Sequence, residues 1–220
     1  MRMSLLRSLL AALLVLLFIG AGLAGPKGQP GGEAIPQRVT QEAFPPVATV
    51  LGDQVRTDDA GEMQRVVLTR LLDRYAQEQE IDVSDAEIDN YVDNMRRGMR
   101  ARGLDAEEDL TPEEVAQVAK MRRDMGRAMI RQWKLNRALY QQYGGRIIYQ
   151  QLGPEPLDAY RRFLEEREGA GDFTLHEPAF KDTFWGYFTD ETRHTFYASD
   201  SPEEAAAFKT PFWEGPAGGG

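Results

Sequence analysis

The stretch IDVSDAEIDNYVDNM, Ile81 to Met95, decides how this chain is to be read, and it holds no residue set that could do chemistry. Ser84 followed three residues later by Glu87 is a capping box. The hydroxyl accepts from the amide at the third helical position, and the Glu side chain reaches back to the Ser84 amide. Ile88, Tyr91, Val92, Met95 and Met99 then fall on one stripe, as an amphipathic helix requires. The stretch is therefore a turn that launches a helix, and its use is architectural.

Upstream, Met63, Val67, Leu71 and Tyr75 recur at steps of four with Leu68 and Leu72 beside them. That period predicts a helix from about Asp58 to about Glu80. Before it, VATVLGDQV, Val47 to Val55, alternates small apolar and β-branched residues around Gly52-Asp53, which predicts a short strand or a hairpin. Downstream, Thr111-Pro112-Glu113-Glu114 repeats the capping device with Pro at the first helical position. It opens a helix that extends at most from Pro112 to Tyr143, on the order of 48 Å if unbroken, and Gly144-Gly145 stops it. Arg146 to Gln150 has strand propensity but is short enough to be a helical turn instead. Leu157, Tyr160, Phe163 and Leu164 mark another helix closed by Gly169, and the residues beyond it are rich in Phe, Tyr and Trp.

The chain has 220 residues, 26 basic and 35 acidic, for a net charge of −9. That balance argues against a general affinity for nucleic acid. With no cysteine, disulfide staples, thiol nucleophiles and thiolate metal sites are excluded. The first residues carry Arg2 and Arg7, an apolar run from Leu9 to Ile19 and small residues ending at Ala24. They read as a secretory signal peptide over residues 1–24, the run falling short of the ~20 residues that span a bilayer. The expected location is the periplasm, with an inner-membrane signal anchor as the alternative. Cleavage would remove two arginines and leave a charge of −11. Residues 25–46, rich in Gly and Pro, read as a flexible linker.

Candidate chemistry is sparse. His176 and His194 are the only histidines, and neither has a second ligand-type residue at metal-binding spacing. Carboxylate pairs such as Glu107-Glu108 and Glu165-Glu166 are adjacent in sequence, as solvated helix faces are, and do not define a cleft. No catalytic residue, metal or cofactor is expected. The most suggestive charged feature is the row Lys120, Arg123, Arg127, Arg131 and Lys134, at steps of three or four on the long helix. It is either a face that pairs with acids of the first helix or a docking stripe for acidic client segments or anionic lipid headgroups. With Trp133 and Tyr140 these five residues form the candidate partner-binding set. The aromatic tail likewise admits two readings, core or an exposed adhesive surface.

Taken in order, these parts resemble the N-terminal domain of SurA-type and PrsA-type periplasmic foldases. The matching positions are Ala48, Val50 and Gly52 of the strand, Leu71, Leu72, Asp73 and Ala76 of the first helix, and Val83, Ser84, Asp85, Glu87, Ile88 and Asp89 of the capped turn. The similarity runs from Val47 to about Ile148. It implies a mainly α protein: a helical domain over residues 47–148 with a short two-stranded β element, then an aromatic-rich helical extension over residues 149–220. In the family a late segment pairs with the opening strand, which leads us to expect a ladder between Ala48–Leu51 and Ile147–Tyr149. The resemblance also implies non-catalytic binding of unfolded or partly folded envelope polypeptides. The Gly-Gly-Asp-Leu-Gly type motif of the parvulin isomerase domain is missing from Tyr149 to Gly220, so prolyl isomerisation is not implied. A prolyl isomerase-related enzyme and an adaptor for one envelope partner, with Trp133 to Glu166 as its interface, are the alternatives.

Overall fold

A computed structural model describes residues 44–104, 110–151 and 153–214. The signal-peptide expectation and residues 25–43 of the expected linker fall outside the described residues, and the linker's last residue, Pro46, already belongs to the first strand. The chain begins with β1 (Pro46–Val50) and β2 (Asp53–Arg56), joined by Leu51 and Gly52. Both turn residues take positive φ, 50° and 87°, the geometry that matches the twist of a two-residue hairpin. The turn thus sits one residue earlier than the Gly52-Asp53 pair suggests.

Helix α1 (Ala60–Glu78) follows, with Asp59 accepting from the Glu62 amide. Helix α2 (Asp85–Ala101) starts at the capping box: the Glu87 amide donates to Ser84 Oγ at 3.3 Å, and the Ser84 amide donates to Glu87 Oε2 at 2.9 Å. Helix α3 (Pro112–Tyr143) opens with the same reciprocal pair at Thr111 and Glu114 and runs for 32 residues. Its stop is enforced sterically. Gly144 has φ +62°, and a Cβ on Gly145, at φ +96°, would come within 2.4 Å of Asp158 Cβ. The close approach lets the Asp158 carboxylate accept from the Arg146 amide and from Arg146 Nε, both at 2.9 Å.

The remainder is β3 (Ile148–Gln150), β4 (Gly153–Glu155), α4 (Leu157–Gly169), β5 (Phe173–Leu175), α5 (Pro178–Thr189), a 3-10 turn at Glu191–Arg193 and α6 (Pro202–Ala206). The described chain is therefore mainly helical, with one three-stranded and one two-stranded sheet. The three-stranded sheet has the order β2-β1-β5, and both neighbours of β1 are antiparallel to it.

This corrects the expected ladder. The partner of Ala48 is Leu175, that of Thr49 is Thr174 and that of Val50 is Phe173. A late segment does complete the opening strand, but it is β5. Ile148 to Gln150 is committed elsewhere: it pairs with Glu155, Pro154 and Gly153, and Ile148 also bridges Phe196. The two-stranded element expected at β1 is accordingly a three-stranded sheet.

Two apolar clusters organise the packing. The larger joins Met63, Val67, Leu71 and Tyr75 of α1 to Leu135 and Leu139 of α3, Phe163 of α4, Phe173 of β5 and Phe184 of α5. Residues on both sides of position 148 share this core, so the expected boundary there does not separate two hydrophobic interiors. The aromatic tail is mostly core: Phe173, Phe184, Tyr187, Phe188, Phe208 and Trp213 are buried. The second cluster lies on the α2–α3 pair and is described next.

Candidate functional site

Helices α2 and α3 pack closely because Gly126 leaves room for Tyr91. A Cβ at Gly126 would lie 2.7 Å from the Tyr91 ring. Tyr91, Ile88, Ile130 and Trp133 then form an apolar groove floor together with Ile147. Met95 of α2 and Met125 and Met129 of α3 pack against it, half-buried, and the Tyr91 hydroxyl donates to Met129 Sδ at 3.2 Å. Unbranched thioether side chains fill irregular space and re-pack readily.

In this structure the occupant is the chain's own tail. Trp213 stands edge-on to Trp133 with centroids 5.2 Å apart, and Phe208 is 6.3 Å from Trp133 and 5.2 Å from Tyr140. Phe212, 40% exposed, meets Tyr91 at 5.8 Å. Asn94 Nδ2 donates to the Trp213 carbonyl at 2.6 Å. The Trp213 indole N–H is buried and finds no acceptor among the described residues, an unfavourable state for a polar group.

The basic row on α3 is spent on internal pairing. Lys120 meets Asp124 at 2.6 Å on its own helix. Arg123 pairs with Asp85 at 3.0 Å and with Asp89 of α2. Arg127 lies 3.9 Å from Asp85 and 3.8 Å from Asp124. Arg131 reaches Asp73 of α1 at 2.6 Å, and Lys134 reaches Glu87 at 2.8 Å and the Asp82 carbonyl. Arg123, Arg127, Arg131 and Lys134 therefore tie α3 to α1 and α2. It does not present a run of unpaired cations for an acidic client or a lipid headgroup.

Trp133 is 6% exposed and belongs to the groove floor, and Tyr140 is half-buried under Phe208. These two expected contact residues are thus in the groove, behind the tail. Sequence reasoning did not single out Met125, Met129, Phe208 and Trp213 as groove residues. The available signal was methionine spacing: Met95 and Met99 on one helix, and Met121, Met125 and Met129 on the other, recur every four residues.

Elsewhere the polar groups are structural. His176 Nε2 lies 2.9 Å from Thr49 Oγ1, and His194 Nε2 lies 2.7 Å from the Tyr187 carbonyl. No group of three potential metal ligands occurs among the described residues. Glu155 accepts from the Tyr187 hydroxyl at 2.9 Å, and that hydroxyl accepts from Gln150 Nε2 at 2.9 Å. Burial pushes the Glu155 carboxyl up to about 7, against the opposing effect of the Tyr187 bond. A shallow depression of about 550 Å³ is lined by Asp73, Ala76, Gln77, Glu80, Ile81, Asp82 and Arg131. It holds acids and an arginine that is already paired, with no nucleophile beside a base.

Among the described residues no helix is long and apolar enough to cross a membrane. Comparison with protein-family models, with curated proteins and with solved structures finds no match to this chain.

Proposed function

We propose that this protein is a non-catalytic polypeptide-binding factor, a chaperone or folding assistant for proteins of the cell envelope. The observation that carries this reading is the α2–α3 groove, which already holds a polypeptide segment through three aromatic rings and a side-chain bond to a backbone carbonyl. Ring contacts supply affinity without demanding a fixed sequence, and the methionine walls adapt to what is bound. Unfolded chains expose aromatic residues of this kind.

The order of strand, helix, capped turn and helix is the one that the resemblance to the SurA-type domain implies. The leader-like residues 1–24 support a periplasmic location. Clients are recognised by apolar and aromatic contact, since the cations of α3 are engaged within the fold.

Two measurements on the purified protein test the proposal together: suppression of aggregation of an unfolded outer-membrane protein, and isomerisation of a proline-containing peptide. Suppression without isomerisation is the expected result. Isomerisation would favour the enzyme reading, and absence of both would leave an adaptor for one specific partner.

A further inference from the structure

We infer that residues 207–214 are a tethered competitor in the α2–α3 groove, and that the external ligand they hold off is a short, aromatic-bearing segment of another polypeptide. The inference rests on the polypeptide-binding reading above and adds how the site is regulated.

Three features set this segment apart from the core it covers. First, its backbone bonds are local. The Ala205 amide donates to the Ser201 carbonyl, the Ala207 amide to Glu204, the Lys209 amide to Ala206 and the Glu214 amide to Pro211. Among the described residues, a hydrogen bond that reaches across comes from an α2 side chain, Asn94, to the Trp213 carbonyl. Among the described residues no sheet ladder would have to break for the segment to leave.

Second, a turn precedes it. The chain is pinned at Phe196 and Tyr197, where Ile148 bridges Phe196 and the Tyr197 amide donates to the Ile147 carbonyl. It then turns at Ala198–Ser201, where the Ser201 amide donates to the Ala198 carbonyl and Asp200 has φ +60°. Beyond this point lie the five-residue helix α6 and turns.

Third, the seat is imperfect. Trp213 is 2% exposed, yet its indole N–H is without an acceptor among the described residues. An incoming segment that satisfies the groove equally well need not reproduce that defect.

The seated residues define the ligand. Phe208 is followed four and five residues later by Phe212 and Trp213, with Pro211 before them. Two of these rings enter the space between Tyr91, Trp133 and Tyr140, and the carbonyl of the second meets Asn94. A partner that fits has two or three rings within about six residues, in a segment short of regular helix. Tethering gives the chain's own segment an effective concentration near the millimolar range. The free groove is then a minor state, and the apparent affinity for an external segment falls by the fraction of groove that is open.

The test uses the full chain and the labelled peptide AAFKTPFWEG, which copies residues 206–215, with fluorescence anisotropy as the readout. The Phe208→Ala/Trp213→Ala variant is expected to bind this peptide at least tenfold more tightly than the wild type. A peptide with its three rings replaced by Ser should bind neither protein. Equal affinity of variant and wild type for the aromatic peptide would overturn the competitor while leaving the binding reading in place. No binding by a variant that still melts cooperatively would overturn both. Should the variant fail to fold, amide hydrogen exchange on the wild type decides. Residues 205–214 must exchange at least a hundredfold faster than residues 130–139 of α3, and equal protection ends the inference.

Discussion

Gly126 shows how a residue that looks like a helix defect can set a site. In the interior of an exposed helix, Gly→Ala gains roughly 1 kcal/mol. Here the added Cβ would lie 2.7 Å from the Tyr91 ring, itself buried against Met129. We expect Gly126→Ala to lower stability by about 1–3 kcal/mol, the usual cost of overpacking a filled contact, as read from urea denaturation. A stabilised variant would mean the α2–α3 contact is loose. Glu155 gives a second residue-scale expectation. Its carboxyl is pushed by burial from an ordinary 4.5 to about 7, so the folded chain holds this proton more tightly than the unfolded one. The contribution to stability is fully present below about pH 4.5 and is lost as pH rises through about 7, on the order of 3 kcal/mol at most. Glu155→Gln keeps an acceptor for Tyr187 and has no charge to bury. The melting temperature of the wild type should therefore fall relative to that of Glu155→Gln between pH 5 and pH 8. Parallel profiles would show that Glu155 ionises freely. Ser84 could be read from sequence because a capping box is local, whereas Glu155 could not. Its surroundings include Tyr187, 32 residues away, whose hydroxyl donates to its carboxylate.

The helices were legible for the same reason that the sheet was not. The apolar period, Ser84 and Thr111 as caps and the Gly144-Gly145 stop each lie within a few residues of what they control; α1 and α3 begin and end, and α2 begins, close to where those signals place them. Strand partners are chosen over distance. Ile147–Tyr149 and Phe173–Leu175 are equally short and apolar, and nothing local tells which returns to β1. The structure supplies the reason: Phe173 and Leu175 both turn into the large core on either side of an exposed Thr174, matching Val50 and Ala48 across the ladder. Ile147 and Ile148, by contrast, enter different clusters, and Tyr149 is 50% exposed. This assignment predicts unequal costs for two aromatic truncations. Phe173→Ala should destabilise by about 3–5 kcal/mol, and Tyr149→Ala by less than about 1 kcal/mol, since it forfeits only a surface stack on Tyr197. Denaturation midpoints compare them directly, and the reverse order would restore β3 as the strand that supports the fold.

At the scale of the molecule the question is whether the groove cluster is an appendage or part of one cooperative unit. Helix α3 answers structurally, because Ile130 and Trp133 serve the groove while Leu135 and Leu139, one turn on, serve the large core. The chain repeats the link at Ile147 and Ile148, consecutive residues in different clusters. The salt bridges Arg131–Asp73, which is exposed and worth little alone, and Lys134–Glu87, which is half-buried, add cross-ties from the same helix to α1 and α2. Losing either cluster would leave a 32-residue helix with half its apolar face in water, which packing, and not propensity, must support. The tail's backbone bonds among the described residues are local, so the opening inferred above breaks the Asn94 bond and the ring contacts but no ladder. We therefore predict that Ile130→Ala in the groove and Leu139→Ala in the large core, both fully buried, each lower stability by about 2–5 kcal/mol. Each should move one and the same far-UV transition to lower urea with its slope unchanged. If the groove were an independent unit, Ile130→Ala would instead split the curve, with an early partial transition and the main one left at the wild-type midpoint.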